Sequence, residues 1–174
     1  NMATQLALYN EALRLVGERR IATLSDDHEP RYYLDDVWGE GIIDRWAEDT
    51  DWVWLGSSAM IDYNPSIEPS WGYPRAFDKP DDLLRLSGIW SDGNQQIPIT
   101  YYKDEGDYWY CGFDSIFISY VRNTALSEIA SWPNYFDRLI AAALAYQISP
   151  RLKNFSDQQI IEKNLKKAVN NAKN

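Results

Sequence analysis

Residues 133–150 read PNYFDRLIAAALAYQISP. Phe136, Leu139, Ile140, Ala143, Leu144 and Ile148 recur at three- and four-residue spacing, which gathers them on one apolar stripe of a helix. Ala141, Ala142, Ala143 and Ala145 carry nothing beyond Cβ and so allow another helix to approach closely. Pro133 suits the first helical position, where its missing N–H has no partner to lose, and Pro150 ends the helix. Such a stripe requires other helices to cover it.

Two more helices are written at the start of the chain. The first runs from about Thr4 to Val16. Leu6, Tyr9, Leu13 and Val16 form its stripe, widened by Leu8, Ala12 and Leu15, and Gly17 is the stop. After a connector from Glu18 to Asp27, one of Ser25, Asp26 or Asp27 is expected to cap a second helix with Pro30 near its first turn. Leu34, Trp38, Ile42 and Trp46 lie four apart in it, with Val37 beside them. Gly39 and Gly41 each cost up to about 1 kcal/mol inside a helix, or else permit close packing of a neighbour. At the other end, Ser156-Asp157-Gln158-Gln159 matches a capping box, and Ile161, Leu165, Ala168 and Ala172, flanked by Ile160 and Val169, give a final helix one apolar face.

Between these helices the pattern changes. Pro65, Pro69, Pro74, Pro80 and Pro98 forbid long helices from Thr50 to about Arg122. Short aromatic and β-branched runs predict strands near Leu83–Trp90, Ile97–Lys103, Tyr108–Gly112 and Ile116–Val121. Ser91-Asp92-Gly93-Asn94 and Asp104-Glu105-Gly106-Asp107 are turn chemistry between them, so an antiparallel meander is expected. The expected class is α+β: one domain over residues 2–174, a bundle of about four helices from residues 2–49 and 132–174, with an inserted antiparallel sheet at 50–125. Asn1, ahead of Met2, is set aside as a tag remnant.

Composition narrows the function. Eight Trp, twelve Tyr and five Phe supply large apolar areas with polar handles, suited to cores and interfaces. A single cysteine, Cys111, rules out an internal disulfide and fits a reducing compartment. With no long apolar run and no leader pattern, a soluble protein made in the cytoplasm and independent of membranes is expected. The net charge is −9 and unevenly spread. Residues 1–150 hold 11 Lys+Arg against 24 Asp+Glu, whereas residues 151–174 hold six (Arg151, Lys153, Lys163, Lys166, Lys167 and Lys173) against two. An acidic body gains no counterion release from phosphates and argues against general DNA binding. A basic end on that body points to an acidic partner or a neighbouring copy.

No constellation of catalytic type stands out. Asp35 and Asp36 are adjacent on a presumed helix and point apart; Glu48, Asp49 and Asp51 follow that helix. Nothing separates their pKa values, so they read as a solvated acidic face rather than a glycosidase pair. His28 is the only histidine, beside Asp26, Asp27 and Glu29. Those residues lack the ligands of a zinc site and the spacing of a calcium loop, so a turn and capping role is expected. Cys111 lies in an aromatic strand and reads as a small buried hydrophobe. Ser57-Ser58 lacks a nucleophile-elbow setting, and Gly39 and Gly41 lack that of a phosphate loop. Trp52, Trp54, Trp71, Trp90 and Trp109 cluster in the β half and read first as core and interface, with a ligand platform as the alternative.

Several local sequences, in order, resemble the tail tubular protein A family, the head-to-tail adaptors of podoviruses. Leu8-Tyr9-Asn10-Glu11-Ala12-Leu13-Arg14-Leu15-Val16-Gly17-Glu18, then Ile21 and Leu24, resembles the family's opening helix. Trp46 and Trp52 resemble the end of its second helix. Tyr73-Pro74-Arg75-Ala76-Phe77-Asp78-Lys79-Pro80-Asp81-Asp82-Leu83-Leu84-Arg85-Leu86 resembles its lead into the sheet, with Phe77 where Leu is commoner. Asp104-Glu105-Gly106 with Tyr110, then Ile118-Ser119-Tyr120-Val121, resembles its later strands, and the run from Ala145 to Leu152 its penultimate helix. Between Asp51 and Trp71 only Trp52 has a counterpart. The resemblance implies a structural virion protein, not an enzyme, without cofactor or metal. It would form a ring, dodecameric, between the portal protein and a tail nozzle resembling tail tubular protein B, around a channel that DNA crosses unbound. The C-terminal segment would dock on the portal, for which Lys163, Lys166, Lys167 and Lys173 are the candidates. The alternatives are a tail-associated peptidoglycan hydrolase using acids near Glu48 to Asp51, and a carbohydrate-binding module in the β half.

Overall fold

A computed structural model describes residues 3–152 and 158–174. The fold is α+β, with five α-helices and two three-stranded antiparallel sheets. It divides into two compact units: residues 1–49 with 125–174, and residues 50–124. The insertion expected at 50–125 is therefore a unit of its own. Of the expected capping box Ser156-Asp157-Gln158-Gln159, Ser156 and Asp157 lie outside the described residues, and Gln158 and Gln159 open the last helix.

In the helical unit, α1 spans Gln5–Leu15 and α4 spans Asn134–Ile148. Thr4 caps α1, its hydroxyl accepting from the Ala7 N–H at 3.1 Å. Phe136, Leu139, Ile140, Leu144, Ile148 and the alanines from Ala141 to Ala145 are all buried on α4, which packs against α1, α2, α3 and α5. Alanines on several sides of α4 let four helices contact one. Pro133 stands one place before α4, at the cap, and Pro150 falls in a 3-10 turn at Ser149–Arg151.

The second helix is two. Helix α2 covers Glu29–Gly39 and α3 covers Ile42–Glu48. Gly41 takes φ +85°, a left-handed conformation that breaks the helix there. A Cβ at Gly39 or Gly41 would meet nothing within 4 Å, so neither glycine serves close packing. The cap differs from expectation too. His28 holds the cap position without a side-chain bond, while Asp26 is spent on the preceding turn, accepting from Ala22 N–H at 2.7 Å and the Thr23 hydroxyl at 2.8 Å. Asn10 clamps the connector by a two-way bond with Ile21, at 2.8 and 3.1 Å. Arg151 lies 3.9 Å over the Tyr33 ring and 3.0 Å from Asp36, tying the end of α4 to α2. Helix α5 spans Gln158–Lys173 and buries Ile161 and Ala172.

In the second unit, β1 is Gly56–Asp62, β2 Arg75–Asp78, β3 Leu83–Trp90, β4 Lys103–Glu105, β5 Tyr108–Cys111 and β6 Ser115–Arg122. The strand orders are β1-β6-β3 and β2-β5-β4, so the expected meander does not form. Only β4 and β5 are sequence neighbours paired as a hairpin, turning at Gly106 with φ +62°. Of the expected strand Ile97–Lys103, only the start pairs with β3, through an isolated bridge of Trp90 to Pro98 flanked by Ser91 N–H to the Ile97 carbonyl at 3.0 Å and Ile99 N–H to the Ile89 carbonyl at 2.9 Å, and Lys103 opens β4. Phe77, Trp109 and Cys111 from one sheet and Ile89, Ile116, Ile118 and Tyr120 from the other form a common core with Ile99. Fully burying Trp109 removes on the order of 200 Å², roughly 5 kcal/mol as an upper bound.

Candidate functional site

The basic C-terminal face is where the sequence places it, on α5, and the structure divides its lysines. Lys163, Lys166 and Lys167 are exposed and adjacent on the helix surface. Lys166 pairs with Glu162 at 3.5 Å. Lys173 reaches Asp49 at 2.6 Å and ties the end of α5 to the end of α3, a structural task that sets it apart from the other three. Lys163 and Lys167 have no carboxylate within bridge distance among the described residues.

Beside this face lies a row of shallow concavities that share Glu11. One, of about 410 Å³, lies between α1 and α4, lined by Ala3, Ala7, Leu8, Glu11, Asn134, Asp137, Arg138 and Ala141. A second, of about 310 Å³, is lined by Glu11 and Leu15 of α1, Tyr135, Arg138 and Ala142 of α4, and Asn164, Lys167, Ala168 and Asn171 of α5. A third, along Ala7, Asn10, Glu11, Arg14, Glu18 and Arg20, holds about 470 Å³. The helical unit thus presents a scalloped surface with alanine walls and charged margins.

Asp137 is its most unusual group, and sequence reasoning missed it. Its Oδ1 is buried without a hydrogen-bond partner among the described residues. Burial alone pushes its pKa up to about 6. Glu11, in the same notch, is held by Arg14 through two bonds of 2.5 and 3.0 Å. The available signal was the one acid of a largely apolar helix, placed in its first turn.

The acids named from sequence are engaged elsewhere. Asp35 accepts from the Tyr9 hydroxyl at 2.8 Å and pairs with Arg31 at 2.7 Å, while Asp36 pairs with Arg151. They turn to different partners, as adjacent helical residues must. Burial, with the Asp35 bond second, pushes the Tyr9 phenol up. Asp49 holds Lys173; Asp51 accepts from the Ser87 hydroxyl at 2.9 Å and lies 3.6 Å from Arg85. His28 borders a notch with Glu18, Glu29, Tyr33 and Arg151, and its Nε2 is buried without a hydrogen-bond partner among the described residues. No group of three or more His, Cys, Asp or Glu among the described residues is placed to hold a metal. Cys111 is buried, and burial raises its thiol pKa. Ser57 and Ser58 lie on β1, with the Ser58 hydroxyl 3.4 Å from that of Ser119.

The tryptophans of the β half separate by burial. Trp52 and Trp109 are buried and Trp54 and Trp90 half-buried; Trp71 is 73% exposed, with Lys103 Nζ 4.3 Å from its ring centre. One exposed ring under a cation is a smaller platform than five clustered tryptophans suggested. No helix among the described residues is long and apolar enough to cross a membrane.

No protein-family model matches this chain, and no curated protein matches it either.

Proposed function

We propose that this chain is a structural virion protein of a short-tailed phage: an adaptor whose copies, about twelve, form a ring joining the portal to the tail nozzle. The observation that carries the reading is the order of the resembling motifs and the elements on which they fall. The Leu8–Glu18 motif falls on α1 and its stop; Tyr73–Leu86 spans β2 and opens β3; Ala145–Leu152 is the end of α4 and the 3-10 turn that follows it. A helical unit built from both chain ends, with a β unit inserted between them, is the organisation that the resemblance implies.

Charge is compatible with this role. The acidic body gives transiting DNA phosphates no counterion release, so the duplex passes without adhering. The exposed Lys163, Lys166 and Lys167 offer a basic surface to an acidic portal face. Co-sedimentation of the full chain with purified portal rings tests the reading. Binding is expected, and it is expected to weaken as salt rises; failure to bind where tails otherwise assemble would overturn it.

A further inference from the structure

The groove of about 310 Å³ on the helical unit gathers polar side chains from two helices. Tyr135 and Arg138 of α4 stand three apart; Asn164, Lys167 and Asn171 of α5 stand three and four apart, so each set lies on one helix face. All five can donate a hydrogen bond. Among the described residues none of the five has a side-chain hydrogen bond or an ion pair. Arg138 and Lys167 are exposed. The one acid in the lining, Glu11 of α1, is held by Arg14. The groove therefore carries two uncompensated positive charges. The rest of its lining, Leu15, Ala142 and Ala168, is apolar.

A carboxylate on a short aliphatic stem matches both features. The planar fork of Arg138 can take both oxygens of one carboxylate, and Lys167 adds a second charge from α5. The amides and the phenol can donate to the remaining lone pairs, while the CH2 groups of the stem cover the apolar lining. A nucleic acid fits less well. Its continuous phosphates meet a body with 24 Asp+Glu against 11 Lys+Arg over residues 1–150, where they release no counterions.

We propose that this groove between α1, α4 and α5 is a carboxylate-binding site, filled by a glutamate or aspartate side chain of an acidic segment on the portal. The portal as source rests on the adaptor reading above. The groove centres that contact on Lys167 together with Arg138, a residue outside the basic C-terminal segment.

Full-length chains test this in two settings. On portal rings, R138E and K167E are each expected to weaken co-sedimentation by about tenfold or more, and K163E, outside the groove, by no more than about threefold. R138Q replaces R138E, with the same expectation, if helical circular dichroism shows R138E unfolded. Without portal, a capped hexaglutamate peptide is titrated into the chain and followed by nuclear magnetic resonance. Shifts are expected at Arg138, Asn164 and Asn171, and none with R138E, with hexaglutamine or with a DNA oligonucleotide of equal charge. Portal binding that R138E and K167E leave at the parent level overturns the proposal, and the adaptor reading stands. Groove shifts in a chain that binds no portal overturn the adaptor reading and the portal as source, and keep the carboxylate site. Absence of groove shifts overturns the carboxylate as ligand, and absence of portal binding as well overturns both. Equal shifts with the oligonucleotide overturn the preference for a carboxylate. Self-association of the chain that R138E abolishes assigns the carboxylate to a second copy and overturns the portal as its source.

Discussion

Replacing Asp137 by Asn removes a charge that the fold holds at a cost. The carboxyl titrates near 6 rather than its ordinary 3.8, and burial is the cause. The folded-state pKa lies above the unfolded one, so the folded chain holds the proton more tightly. The contribution of this one group to stability is therefore greatest below about pH 4, falls as pH rises toward 6, and is lower by a constant amount above that. A shift of this size corresponds to about 3 kcal/mol at most. Asp137 is only partly buried, and solvent screening reduces the figure to about 1–2 kcal/mol. An amide has the shape and neutrality of the protonated acid, so D137N is expected to gain about that much at pH 8 and almost nothing at pH 4. Urea unfolding, followed by helical circular dichroism at both pH values, measures the difference. Equal changes at the two pH values, or a loss at pH 8, would refute the claim that an unpartnered buried charge sits there.

Other perturbations probe the frame around this group. Asn10→Ala removes both bonds that clamp Ile21 and leaves its buried N–H and C=O unmet, so a loss of about 1–3 kcal/mol is expected in the same unfolding assay. Gly41→Ala forces a side chain into the left-handed junction between α2 and α3; about 1 kcal/mol is expected to be lost, visible as a lower urea midpoint. Incubation with purified peptidoglycan is expected to release no soluble fragments; release that disappears in D137N or Glu11→Gln would replace the adaptor reading with a hydrolase. K163E/K167E is expected to weaken portal binding and flatten its salt dependence, read by co-sedimentation across a salt series.

Local signals were legible where one segment sufficed to produce them. Helices α1 and α4, and strands β3 and β6, are readable because each buries its own periodic side chains. Strand β1, Gly-Ser-Ser-Ala-Met-Ile-Asp, has no such mark: its residues alternate between exposed and half-buried, and its pairing with β6 lies some 60 positions away. Strand β2 is four residues behind Pro74, too short for a period. The meander expectation failed for a related reason. It assumed neighbours in sequence pair, whereas β6 occupies the middle of its sheet between β1 and β3. The lysines of α5 were visible as composition; which of them remain unpaired depends on Glu162 and on Asp49 from another helix. Asp137 was visible only as the one acid of α4, in its first turn; its burial belongs to the packing of α1 on α4, which residues 133–150 taken alone do not contain.

The central claim is that copies of this chain close a ring on a phage portal. Cryo-electron microscopy of the full chain mixed with portal dodecamers measures this directly. The account predicts portals carrying a closed ring of density on one face, with one adaptor copy per portal subunit and α5 facing the portal. Bare portals beside free chains, under conditions in which tails assemble, would contradict it.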